Sequence, residues 1–305
     1  MKKGRIARGY TSASFASALA VIFTPQNEVW RCFDVKSTLT LVYVDKKARQ
    51  TLQTWLDAVV LDLSLGKEAL PIRVQLSPST TFDTQLIAVF KLMMPFTYIT
   101  SIQLPLASMQ YKLPQDLLSK QQTKKQWKQV CHGRQVNVRL AKSIGKGWGV
   151  FATEQIRQGE FVAEYTGELI SSRDMQQRYR DCYDQEALNY VLSLREHVAK
   201  RDHLTLDFDI VRTNVDATYS GNLTRFINHS CSSNLDVKAI RVDSYVPRLA
   251  LFAQKCIENG EELTIDYGDG SLENAMNGQV ETRGKGRACQ CTSRTCRGYL
   301  PFVLE

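Results

Sequence analysis

The first 130 residues of this 305-residue chain hold a single cysteine, Cys32. That scarcity excludes a multi-zinc or disulfide-laced N-terminal half. No apolar run approaches the ~18 residues that a membrane-spanning helix needs, so no membrane partner is expected. Internal repeats are missing too. With 43% hydrophobic residues, the chain is too apolar for a disordered protein and long enough for one large or two ordinary cores. The net charge of +8 suits an acidic or polyanionic partner such as chromatin. Many soluble proteins share a modest basic excess, however, and no nucleic-acid-binding motif accompanies it, so direct DNA contact stays open.

What is present divides the chain. From residue 29 to 110, strand-like and helix-like patterns alternate. Thr38–Val44 is rich in β-branched residues, and Ala48, Leu52, Trp55, Leu56, Val59 and Val60 recur at helical spacing. Pro71–Leu76 reads as a strand, Phe82 to Met93 as a helical stripe, and Tyr98–Leu106 as a further strand. This predicts a small α/β unit over residues 1–112, without a functional motif. Residues 113–132, rich in Lys and Gln, read as a linker or helix. Beyond them, short strand patterns at Val136–Leu140, Gly149–Thr153, Phe161–Tyr165, Tyr190–Leu194 and Arg248–Ala253 predict a compact, mostly β domain over 133–268, with a helix at Ser172–Arg180. Residues 269–288, rich in Gly, Asn and basic residues, read as a flexible linker to a tail at 289–305.

The tail holds Cys289, Cys291 and Cys296. C-x-C-x4-C in an otherwise cysteine-poor chain favours a metal in a reducing compartment. Cys32, Cys131, Cys182 and Cys256 are scattered and read as plain thiols. Lys2, Lys3, Arg5 and Arg8 precede an apolar stretch, Phe15–Phe23, in the outline of an export or mitochondrial signal. Serines interrupt that stretch, and export would misplace a reduced-cysteine metal site.

Three further segments carry chemistry. Gly145-Lys146-Gly147-Trp148-Gly149 lies between two strands, where glycines allow close backbone approach. Arg225-Phe226-Ile227-Asn228-His229-Ser230-Cys231 and Glu262-Leu263-Thr264-Ile265-Asp266-Tyr267-Gly268 follow. Together with the cysteine tail, this order of motifs resembles the SET-domain protein lysine methyltransferases that carry a post-SET zinc tail. In Leu194–Val198, Asn214–Thr218 and Val246–Ala253 it looks like the SET-transposase fusion and plant SUVR-type subgroup of histone H3 enzymes. The likeness runs from about Gln129 to the C-terminus.

The resemblance implies a SET fold of short curved sheets, S-adenosyl-L-methionine as methyl donor and one structural Zn2+. It places Lys146, Gly147, Trp148, Tyr190, Arg225, Asn228 and His229 around the donor. Tyr267 and Tyr165 become the catalytic wall of the lysine channel, and Cys231 the fourth zinc ligand beside Cys289, Cys291 and Cys296. His229 is expected neither to bind zinc nor to act as a base. The metal would fold the tail back over the active site. The implied partner is a histone H3 tail or another lysine-containing protein, in the nucleus, on chromatin.

Two departures matter. Ile265 stands where the family usually has Phe or Tyr; a smaller side chain without a hydroxyl predicts that di- and trimethyl products are accessible. Cys131-His132-Gly133-Arg134 matches only the end of the cysteine-rich pre-SET module, which leaves the target lysine open between position nine and position thirty-six of H3. A non-histone methyltransferase and a silent chromatin-binding SET module share most of these residues, although intact Tyr165, Asn228, His229 and Tyr267 weigh against the silent one.

Overall fold

The computed structural model describes residues 62–64, 67–75, 97–104, 123–183, 190–199, 208–244, 246–268 and 288–300. The strand expected at Thr38–Val44, the helical stripes Ala48–Val60 and Phe82–Met93, and Cys32 lie outside these residues. So does the 269–288 linker, except Ala288.

Short strands dominate. In chain order they are β1 (Arg73–Val74), β2 (Thr97–Tyr98), β3 (Val138–Ser143), β4 (Gly147–Ala152), β5 (Phe161–Tyr165) and β6 (Glu168–Ile170). Then come β7 (Val191–Ala199), β8 (Phe208–Asp216), β9 (Ser220–Gly221), β10 (Asn228–His229), β11 (Leu235–Ile240), β12 (Arg248–Ala253) and β13 (Thr264–Ile265). Among the described residues only two α-helices interrupt them, α1 (Lys124–His132) and α2 (Ser172–Arg178). This is the mostly β architecture expected from the spacing of short β-type segments.

The strands form three three-stranded sheets, ordered β1-β3-β4, β6-β8-β7 and β11-β12-β5, and two small parallel pairs, β10-β13 and β2-β9. Strand β12 explains the third sheet. Its sequence Leu249-Ala250-Leu251-Phe252-Ala253 is buried on both faces, as a strand sandwiched between two neighbours requires. Strand β3 alternates instead, with Val138 and Leu140 in the core and Arg139 turned out over the Phe151 ring. The helices are closed locally. Thr123 and Gln126 form a reciprocal capping box on α1, and the Ser171 hydroxyl accepts the Asp174 N–H at the start of α2. Helix α1 presses Val130 onto Phe161, Ile240, Ala250 and Phe252. Helix α2 passes into a single π-turn, Tyr179–Tyr183, and packs Met175 against Ile170, Tyr183 and Val191.

The N-terminal strands β1 and β2 pair with strands beyond residue 137 and not with one another. β1 runs parallel to β3, with Arg73 opposite Arg139 and Val74 opposite Leu140. β2 runs parallel to β9, with Tyr98 opposite Gly221. Both strands are two residues long, and each contributes one buried side chain, Val74 or Tyr98, to the core that also holds Leu140, Leu223, Leu251 and Ile265. Strands so short cannot form a core by themselves, so they complete one that is already there.

One buried ion pair ties β7 to the end of β11, and a partly exposed arginine ties α2 to β8. Arg241 grips Glu196 with both guanidinium nitrogens, at 2.9 and 2.8 Å. Asp216 accepts from Arg178, Tyr183 and the Thr218 N–H. Glu164 is treated differently. Burial raises its carboxyl from the ordinary 4.5 to about 7, and Arg248, 3.8 Å away, counters this only in part. The unfolded chain therefore gives up this proton near pH 4.5, and the folded chain holds it until about 7. Stability falls as pH rises through that window, by about 3 kcal/mol in total. Glu164→Gln removes the fall. The variant's thermal midpoint relative to wild type should therefore climb by several degrees between pH 4.5 and pH 8, as followed by calorimetry. A difference that stays constant with pH would refute this account.

Candidate active site and cysteine cluster

The β3–β4 hairpin turns through Gly145 and Gly147, whose φ angles of 72° and 83° lie in the left-handed region that glycine adopts freely. Lys146, between them, pairs its Nζ with Glu262 Oε2 at 2.6 Å. Glu262 Oε1 accepts from Asn228 Nδ2 at 2.8 Å, and the same amide donates to the Trp148 carbonyl at 3.0 Å. One carboxylate thus holds the hairpin tip, the start of β4 and the first residue of β10 together. Lys142 covers the Trp148 ring, its Nζ 4.1 Å from the centroid. Gly149 completes the contact. A Cβ there would fall 2.6 Å from Glu262 Oε1 and 3.1 Å from both Asn228 Nδ2 and Ser143 Cβ. Sequence reasoning gave Glu262 no role; the one signal was an acidic residue at the entry of a buried strand.

The tyrosines close the opposite side. Tyr165, at the end of β5, donates its hydroxyl to the Tyr190 carbonyl at 2.7 Å. Tyr267 donates to the Ile227 carbonyl at 2.9 Å. Burial pushes both phenols well above their ordinary range, with Tyr267 adding to the rise at Tyr165. Ile265 is buried in the same core as Tyr165, and Tyr190 and Tyr267 pack against that core. Arg225 stands behind Tyr190. Its Nε and Nη2 donate to the Ala217 and Thr218 carbonyls, and its guanidinium lies 4.1 Å over the Tyr190 ring. It buttresses Tyr190.

The four predicted metal ligands converge. The sulfurs of Cys231, Cys289, Cys291 and Cys296 all lie within 4.8 Å of one another. Tetrahedral zinc with bonds of about 2.3 Å sets neighbouring sulfurs about 3.8 Å apart, and Cys231 and Cys289 are separated by 3.8 Å. The Arg297 N–H donates to Cys231 Sγ and the Gly298 N–H to Cys296 Sγ, each at 3.4 Å, which favours thiolates. The donor set fits one zinc ion. Among the described residues, Cys131, Cys182 and Cys256 are outside this group.

His229 joins the cluster to the tyrosines. Its Nδ1 accepts the Tyr267 N–H at 3.1 Å, so the ring proton belongs on Nε2, which lies 3.2 Å from Cys231 Sγ. Burial lowers its pKa and keeps the ring neutral. The histidine therefore touches a metal ligand and not the metal position. The tail adds two contacts of its own. Arg297 pairs with Asp266 at 2.6 Å, and Gln290 lies against the hairpin tip, where a Cβ on Gly145 would meet its Oε1 at 2.5 Å.

Residues 147–268 match the family model of the SET domain. Human histone-lysine N-methyltransferase SETMAR is 38% identical over 176 residues, 57% of this chain and 25% of that protein. The probable histone-lysine N-methyltransferase set-23 of Caenorhabditis briggsae is 33% identical over 178 residues, 58% of this chain and 66% of that one. The chain thus spans only part of these relatives. Among solved structures, the methyltransferase domain of human SETMAR aligns with a TM-score of 0.58 at 26% identity, covering 79% of this chain and 98% of that domain. Arabidopsis thaliana SUVH6, crystallised in complex with SAM, shares the fold with a TM-score of 0.52 at 21% identity, covering 79% of this chain and 55% of that one.

Gly149 offers a direct check on the Glu262 clamp. Gly149→Ala should cost about 1–3 kcal/mol through overpacking, measured by chemical denaturation, because Glu262 and Asn228 cannot both stay in place. Stability equal to wild type would show that the clamp has slack. With its short sheets, its hairpin and Asn-His segments drawn together by Glu262, and its four-cysteine tail beside them, this chain carries a SET domain.

Proposed function

We propose that the chain is a protein lysine methyltransferase that moves methyl groups from S-adenosyl-L-methionine to a lysine amine on the histone H3 tail. The reading is supported above all by the two buried tyrosine hydroxyls. Each spends its proton on a backbone carbonyl, beside Ile265 and the Asn228–His229 segment.

Methyl transfer from a sulfonium is an in-line displacement, so alignment matters more than acid–base power. The hairpin residues Lys146, Gly147 and Trp148, with Asn228, His229, Tyr190 and Arg225 behind them, are the proposed donor site. Tyr165 and Tyr267 form the proposed wall around the incoming amine. Because each phenol already donates to a carbonyl, its oxygen keeps lone pairs to accept from the amine and, weakly, from the methyl C–H groups. Their raised pKa keeps both protonated at neutral pH, so they orient the amine and do not deprotonate it. A free lysine is charged near neutrality, and aromatic walls beside a positive sulfonium favour its neutral, nucleophilic form. A zinc ion held by Cys231, Cys289, Cys291 and Cys296 would tether the tail over the site.

The lysine at position nine or at position thirty-six of H3 is the proposed target, and the nucleus the proposed compartment. The relatives' names, SETMAR and set-23 among them, support a histone substrate. The test is transfer of label from the donor to recombinant H3 with each tail lysine replaced in turn. One replacement should remove the signal, and Tyr267→Phe should lower it at least ~100-fold, the scale of a lost positioning contact. Donor binding without transfer to any H3 lysine would overturn the histone reading.

Ile265 carries the product prediction. Its side chain is buried and lacks a hydroxyl to hold a water, so mass spectrometry after exhaustive reaction should find di- and trimethyl-lysine. Ile265→Tyr should shift the product towards monomethyl. Monomethyl-lysine alone from the wild type would refute this.

A further inference from the structure

Among the described residues, the segments ahead of residue 123 contribute two strands, and both lie outside the part that matches the SET model. We propose that residues 62–64, 67–75 and 97–104 form an internal brace that positions the methyl-transfer site, with Glu68 as its fastener and Tyr98 and Arg134 as the two positioning residues it joins. The reaction rests on the methyltransferase reading; the brace itself is a matter of geometry.

The brace takes hold at three places. On the donor side, β1 extends the β3–β4 sheet, and the Gln75 N–H donates to the Leu140 carbonyl at 2.7 Å. On the channel side, β2 pairs with β9, with Thr97 N–H on the Tyr219 carbonyl at 2.7 Å and Ile99 N–H on that of Gly221 at 2.8 Å. Gly221 runs directly into Asn222. That side chain accepts the Thr224 N–H and donates to the Glu164 carbonyl, and so seats the turn that carries Arg225. The third hold is at the turn after Tyr165. Gln103 donates its N–H to the Gly167 carbonyl at 2.8 Å and accepts the Leu169 N–H at 2.9 Å, while the Thr166 hydroxyl donates to the Ile99 carbonyl. This turn has no slack on its other face, since a Cβ on Gly167 would fall 2.4 Å from the Asp216 carbonyl oxygen. A shift of residues 97–104 is therefore passed on to Tyr165.

Glu68 locks these holds together. Its Oε1 accepts the Tyr98 hydroxyl and its Oε2 accepts Arg134 Nε at 2.7 Å. Arg134 donates onward to the Val136 and Leu70 carbonyls, and Lys67 Nζ donates to the Tyr98 carbonyl at 2.8 Å. Tyr98 is 1% exposed and the Arg134 side chain 5%. Tyr98 and Arg134 are thus shut off from water and neither can exchange Glu68 for solvent, so loosening one loosens the other.

The test uses the full chain with Tyr98→Phe, which keeps the ring in the core and removes one hydroxyl. Val130→Ala is the control, because Val130 packs in the separate cluster under α1. Tyr98→Phe should speed amide exchange at Ile99 and Leu169 at least ~10-fold. It should also lower kcat about 5- to 10-fold, with donor Kd within about twofold of wild type. Val130→Ala, at a similar drop in thermal midpoint, should change neither exchange at those amides nor kcat. Wild-type exchange at Ile99 and Leu169 in Tyr98→Phe overturns the brace. So does an equal loss of kcat in Val130→Ala, which would make the effect one of stability alone. If the wild type transfers no methyl group to any protein, the exchange rates still decide the brace, and it is the methyltransferase reading that falls.

Discussion

Two backbone pairings, Asn228 with Thr264 and His229 with Ile265, bring together segments that lie more than thirty residues apart in the chain. The ladder is as short as a parallel pair can be, and parallel pairs need long connections to form. It is nonetheless the seam on which the site is assembled. On one side of it, Asn228 reaches Glu262 and through it the hairpin. On the other, Tyr267 reaches back to Ile227, and Ser230 N–H is held by the Ile265 carbonyl. A two-residue ladder has little strength of its own, so its register must come from elsewhere. Buried Leu263 and Ile265, the Asn234 side chain on Thr264 N–H, and the Gly149 contact supply it.

Much of this was legible in the sequence. The mostly apolar segments Phe161–Tyr165 and Arg248–Ala253 give those strands to the residue, because each is decided by local burial. The cysteine spacing places three ligands, and the resemblance names the fourth. Strands β6, β8 and β11 were not read, since their patterns mix charged and β-branched residues whose partners are distant in the chain. Arg225 belongs to a motif, but its contacts are not legible there: its Nε and Nη2 donate to backbone carbonyls and its guanidinium lies over the Tyr190 ring. Glu262 and Glu68 were invisible for a related reason. Each matters through partners more than sixty residues away, Lys146 in one case and Arg134 in the other.

The carboxylates around the core are handled in more than one way. Asp216, Glu196 and Glu262 each lie against a cation. Glu164 has only a distant, half-exposed arginine and holds its proton instead. The same low-dielectric setting that raises Glu164 keeps Tyr165 and Tyr267 neutral. One property of the interior therefore governs both the pH response of the fold and the form of the phenols facing the site.

The imidazole of His229 has two polar atoms and both are used, one towards Tyr267 and the other towards Cys231. Because the ring is planar and rigid, it behaves as a strut of fixed length: a change in sulfur position at one end becomes a change in the Tyr267 backbone at the other. A carboxamide offers a donor and an acceptor but from a single carbon, on a shorter and more freely turning stem. An aliphatic side chain offers neither. The four-cysteine cluster and the Tyr267 backbone are thus mechanically in series through one planar ring.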